Sequence, residues 1–240
     1  MRRLARIPLA QSAIDQLSTL QARVDDAEDS AAAAKSLWRS DRPELRPVHE
    51  ALREMASGRT RCMYCEDNTG VDIEHFWPKS RFPARTFDWM NYLLACPQCN
   101  SNYKRAKFPR TVATGEPLLV DPTVDDPSDH VVLTLREGLF EPMSAKGVFS
   151  VDVFHLNRPD LRIGRRDAWT KLRELVPRYA ALRRAGDDDR ADLLAAALRN
   201  ESFSRVRLAL IEIADSHAAH LILPEDVREA LDACPEIRDW

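Results

Sequence analysis

Glycine is scarce, with seven in 240 residues at positions 58, 70, 115, 138, 147, 164 and 186. They are too few and too scattered to build a glycine-rich phosphate loop or a dinucleotide fingerprint, so if ATP is used, another chain binds it. Long apolar runs are also missing. No stretch approaches the roughly 20 residues that a membrane span needs, and the basic start Met1, Arg2, Arg3 is followed by only a few apolar positions before Gln11 and Ser12, which argues against an export signal. No membrane association and a cytoplasmic location are expected. Excess charge of either sign is lacking too: 35 Lys and Arg against 38 Asp and Glu give a net charge of −3. There is no global basic field, and any nucleic-acid contact has to be local.

What is present is enough apolar material, 44% of residues, for one large folded domain or two small ones. The pattern divides the chain into four segments. Residues 1–58 predict helices, with Ile14, Leu17, Leu20 and Val24 at steps of three and four, an alanine run at 31–34, and a second periodic stretch from Glu44 to a stop at Gly58. Residues 59–110 lose that periodicity and are rich in cysteine, aromatics and turn formers. Residues 111–158 hold four prolines and the alternating run Val131 to Leu135, which predicts a hairpin excursion. Residues 159–240 return to helix, with Leu161, Trp169, Leu172 and Leu175 on one face, then Asp187–Asn200, then Phe203–Leu223, then a short helix after Pro224. The expected class is α+β, mostly helical: a small metal-bound core between two helical segments.

Four of the five cysteines form two Cys-x-x-Cys pairs, Cys62 with Cys65 and Cys96 with Cys99. Each pair puts two thiolates on one tight turn, and two such turns make the tetrahedral four-sulfur site of a closed structural Zn²⁺. Such a site has no open position for water, so its expected work is folding. Cys234 is left over and reads as a small apolar residue. The gap between the pairs means that the metal would staple the ends of an inserted element.

That element holds Asp72, Ile73, Glu74, His75, Phe76, Trp77, Pro78, Lys79 and Ser80, then Asp88, Trp89, Met90 and Asn91, with Asn100 directly after the last zinc cysteine. Phosphodiester hydrolysis needs a base for water and hard oxygen ligands for a cation that takes up the developing negative charge. His75 suits the base because imidazole titrates near neutrality, while Glu74 and Asn100 offer oxygens to Mg²⁺ or Mn²⁺. Neighbours on a strand point to opposite faces, so Glu74 and His75 converge only if the backbone twists or the substrate bridges them.

The order Cys-x-x-Cys, Glu-His, a central Asn, and Cys-x-x-Cys-Asn with a Lys four residues on resembles the HNH, or ββα-metal, endonuclease family over residues 59–108. The resemblance implies that His75 is the base, Asn91 the central Asn that holds the ββα loop, Asn100 the last letter of the motif, and Glu74 the acidic metal ligand. The longer pattern is similar to the PtuB-like HNH nucleases of Septu and retron anti-phage systems: Arg2-Arg3 with Arg6-Ile7-Pro8, the stretch Gly58–Glu66, Ile73–Ser80, Trp89–Cys96, Val120-Asp121-Pro122 and His155–Arg158. It implies a defence nuclease acting on DNA or RNA beside an ATPase partner encoded nearby, leaving 5′ phosphates.

Residues 59–110 carry nine Lys and Arg against five acids, a local excess that suits phosphate approach. Lys79, Arg81, Lys104, Arg105 and Lys107 are the candidate nucleic-acid contacts, with Lys79 and Lys104 expected nearest the backbone. Trp77, Phe82, Phe87 and Trp89 read as packing around the zinc rather than as base-stacking platforms. His49, His130, His155, His217 and His220 lack the company of further ligands, and the run Asp187–Asp189 reads as charge at a helix N-terminus. The competing reading is a zinc-knuckle module that binds nucleic acid or serves assembly without catalysis.

Overall fold

A computed structural model describes every residue from Met1 to Trp240. The chain is α+β and mostly helical, and it forms two compact units: residues 1–132 with 142–156, and residues 133–141 with 157–240.

The first unit begins with α1 (Gln11–Asp25), α2 (Ser30–Leu37) and α3 (Arg46–Met55). In α1 the inward stripe is Ala13, Leu17, Leu20 and Val24. Ala13 replaces Ile14 because one residue turns the helix by about 100°, which takes Ile14 off the stripe. Asp29 caps α2 by accepting from the Ala32 amide. The buried face of α3 carries Val48, Ala51, Leu52 and Met55, and Gly58 just beyond it takes φ +53°, the left-handed geometry that suits a residue without Cβ.

Then come β1 (Asp72–His75) and β2 (Tyr92–Ala95), paired antiparallel with His75 opposite Tyr92 and Asp72 opposite Ala95. Cys96 follows β2 directly and starts the turn into a helical segment, Gln98–Lys104, whose closing amide, Arg105, reaches back five residues to the Asn100 carbonyl. The order strand, strand, helix is the ββα plan that the resemblance implies for residues 59–108, with Cys99 inside the helical segment. Helix α3 packs on β2. Two four-residue strands do not make a stable hairpin alone, so this core depends on what holds its ends.

The predicted excursion contains β3 (Val131–Thr134) and β4 (Leu139–Pro142), followed by α4 (Ala145–Val153), which is capped by Ser144. In the second unit α5 (Pro159–Arg184) packs on α6 (Asp188–Arg199), α7 (Ser204–Ala214) and α9 (Glu225–Ala233). Its buried stripe runs through Leu161, Trp169, Leu172 and Val176, so Val176 takes the place expected for Leu175. The helix expected over Phe203–Leu223 is broken: α7 ends at Ala214 and α8 spans Ala219–Ile222. Ser216 causes the break by donating its hydroxyl to the Ile213 carbonyl and accepting from the Ala218 amide, bonds that compete with helix continuation. Asp188 and Asp189 lie in the first turn of α6, as dipole stabilisation requires. No helix is long and apolar enough to cross a membrane.

Candidate active site

The four sulfurs of Cys62, Cys65, Cys96 and Cys99 are buried and lie within 4.8 Å of one another. Zinc–thiolate bonds of about 2.3 Å place tetrahedral sulfurs about 3.8 Å apart, and Cys65 and Cys96 are separated by 3.9 Å. The donor set and spacing fit structural Zn²⁺. The backbone explains the convergence: the Met63 amide donates to the Leu94 carbonyl and the Val71 amide to Ala95, tying the first knuckle to β2. Gly70 permits that approach, since a Cβ there would sit 2.6 Å from the Leu94 side chain. Cys234 is also buried, apart from this cluster.

Beyond the knuckles, Glu74, His75 and Asn100 line one cleft of about 720 Å³ together with Lys79. His75 is 6% exposed. Its Nε2 lies 2.9 Å from the Thr86 carbonyl oxygen, which also accepts from the Tyr92 hydroxyl at 2.7 Å. A carbonyl can only accept, so Nε2 carries the hydrogen and Nδ1 is the ring's acceptor. Burial, and next the neighbouring Lys79 charge, push the imidazole down to about 3 despite that carbonyl bond. It is neutral, as a proton acceptor has to be.

Asn91 is fully buried and holds the loop after β1: its Oδ1 accepts from the Trp77 amide at 2.7 Å, and its Nδ2 donates to Trp77 O and Arg85 O at 3.0 and 2.8 Å. Further support comes from α1, where Gln21 accepts from the Phe87 amide and donates to the Pro83 carbonyl. These bonds bracket Thr86 from both sides and so fix the carbonyl that orients His75.

Glu74, the neighbour of His75 on β1, is 2% exposed, and both side chains line the one cleft. Lys104 Nζ is 2.5 Å from its Oε1 and donates to the His75 carbonyl at 2.8 Å. This placement corrects the expectation for Lys104: with 0% exposure it is the internal counter-ion of Glu74, not an outward cation. Its aliphatic stem is drawn inward because a buried carboxylate without a partner costs more than ordering one lysine. Burial nonetheless pushes the Glu74 carboxyl up, and its Oε1 receives no well-directed hydrogen bond. Removing the partner exposes the dependence. Lys104→Met is expected to cost roughly 3–5 kcal/mol in urea unfolding, and adding Glu74→Gln is expected to restore most of it.

Asn100 lines the cleft and donates its Nδ2 to Asp72 Oδ2 at 3.0 Å, so its amide oxygen is the atom it could offer to a cation. The Asn100 amide oxygen and the Glu74 carboxylate are hard oxygen donors that suit a divalent ion, with Lys104 already engaging Glu74 Oε1. Among the other cations, Arg105 and half-buried Lys79 line the cleft. Lys107 is exposed outside it, and Arg81 is turned to the Ala106 and Phe108 carbonyls. Trp77, Phe82 and Phe108 pack on one another, and Phe87 and Trp89 are buried.

The sequence reading missed Trp38, whose ring meets His75 edge-on at 4.2 Å between centroids, and it missed the Thr86 carbonyl. Asp72 could have been suspected from its place two residues before Glu74, on the same strand face.

No family model matches the chain. Septu protein PtuB of Bacillus thuringiensis is 34% identical over 115 residues, 46% of this chain and 41% of that protein. The chain is partially homologous to Septu protein PtuB. A second PtuB, from Bacillus mycoides (strain KBAB4), is 32% identical over 148 residues, 48% of each chain. The match to PtuB thus spans less than half the length of these relatives.

Proposed function

We propose that the chain is a metal-dependent HNH-type endonuclease that hydrolyses nucleic-acid phosphodiesters as part of a Septu-type anti-phage system, beside an ATPase partner. The supporting observation is the neutral His75, its Nε2 on the Thr86 carbonyl, sharing one cleft with Glu74 and Asn100. In this reading Nδ1 takes the proton from an attacking water as the P–O bond forms. Asn91 and Gln21 keep the Thr86 carbonyl in place so that the ring does not rotate. Glu74 and Asn100 would hold Mg²⁺ or Mn²⁺, which when bound supplies charge stabilisation to the phosphate and leaving oxygen. Lys79, beside them, offers a cation to the scissile phosphate.

Plasmid and RNA cleavage assays test the proposal. Cutting is expected with Mg²⁺ or Mn²⁺, to stop with EDTA, and to be lost in Glu74→Gln combined with Lys104→Met, which leaves no buried charge unpaired, while bound zinc is retained. The engagement of Glu74 by Lys104 favours one second reading, a zinc-knuckle module that binds nucleic acid without cutting. Binding that is salt-dependent, unchanged by divalent ions and never followed by cleavage would select it.

A further inference from the structure

The cleft has a depth and a lining that bear on its substrate. His75 and Glu74, at 6% and 2% exposure, form its floor. Its walls come partly from α2 and the residue after it: Lys35 and Trp38 on one side, Lys79 and Arg105 on others. Glu74 is the only acidic residue among the lining groups, and Lys104 already matches its charge. The remaining charged groups, Lys35, Lys79 and Arg105, are all cationic. Trp38 is partly exposed and has Lys79 Nζ 5.5 Å from its ring centroid.

The volume of about 720 Å³ is that of a site for a small molecule, large enough for a nucleotide or two. In a paired strand the bases are stacked and turned inward, so no base face is free to meet the Trp38 ring beside the recessed groups. An unpaired strand offers one, and an aromatic ring among cations is the usual means of holding it.

We infer that the site takes unpaired nucleic acid, with a base resting on Trp38 and the flanking phosphates met by Lys35, Lys79 and Arg105. This builds on the nuclease reading, but its test reads binding. A short fluorescein-labelled strand, alone and annealed to its complement, is titrated with full-length His75→Ala without divalent ions, followed by anisotropy. The strand is expected to bind at least about tenfold more tightly than the duplex. Trp38→Ala in the same background is expected to lose roughly tenfold for the strand, and Trp38→Phe to keep most of the affinity.

Equal or tighter binding of the duplex overturns the inference whatever the Trp38 variants do. So does unchanged strand binding by a Trp38→Ala protein that melts like its parent. If Trp38→Ala is unfolded, Lys35→Ala with Arg105→Ala, both at exposed positions, is expected to weaken the strand and not the duplex; an equal loss for both overturns the inference. Wild-type cleavage with Mg²⁺ separates the two ideas. Strand-selective binding without any cutting removes the nuclease and leaves the binding site, whereas duplex cut as fast as strand removes the single-strand inference and leaves the nuclease.

Discussion

His75→Ala is expected to reduce divalent-dependent cleavage by roughly 10²–10⁴-fold, the usual contribution of a positioned general base. The size of the loss follows from the absence of a substitute. No other imidazole lines the cleft, and the amines nearby, Lys79 and Lys104, belong to a charge-pairing scheme with Glu74. The fold should tolerate the change. The Tyr92 hydroxyl still bonds the Thr86 carbonyl, and Asn91 still spans Trp77 and Arg85, so zinc content and melting temperature should stay close to wild type. Single-turnover cleavage of one labelled substrate by both proteins, with elemental zinc measured in parallel, is the measurement. Equal rates would remove His75 from the mechanism.

Cys96→Ser is expected to have the opposite profile, with loss of zinc and of the folded ββα core together. A structural zinc site contributes about 10–16 kcal/mol of apparent binding free energy at neutral pH, as much as the whole stability of an ordinary domain, about 5–15 kcal/mol. A serine hydroxyl is not ionised at that pH and does not replace a thiolate. The position is sensitive because Cys96 directly follows β2, is approached by the Asn68 side-chain amide at 4.0 Å, and has its sulfur within 4.8 Å of the three others. Zinc near one equivalent in the wild type and near zero in the variant, with lost near-ultraviolet circular dichroism, is the expected result. A variant that melts cooperatively at the wild-type temperature would show that the knuckles stand without metal.

The two effects differ because they act at different levels. In the proposed reading zinc would hold two short strands whose own pairing is too weak to persist, whereas His75 would act on a scaffold already held. The same distinction separates what the sequence carries locally from what packing adds. Two Cys-x-x-Cys pairs constrain their own geometry through tight turns, so their meeting at one point needed only spacing. Asn91 was placed as the loop holder by resemblance, and its three hydrogen bonds give that place a physical content. The direction of Lys104 was not readable: four residues after Asn100 it could have pointed to solvent, and only the burial of Glu74 draws it inward.

The sequence by itself determined the mostly helical α+β class and the cluster of four thiols, because these rest on local turns, periodicity and residue chemistry within a few positions, while the ββα order came from the resemblance of the motif. Tertiary structure alone decided that the Thr86 carbonyl sets the imidazole tautomer, that Trp38 from the N-terminal helices walls the cleft, and that Lys104 is an internal counter-ion. Each of these depends on groups brought together by packing. A backbone carbonyl has no signature in the sequence, and a long side chain takes its direction from the charge it finds there.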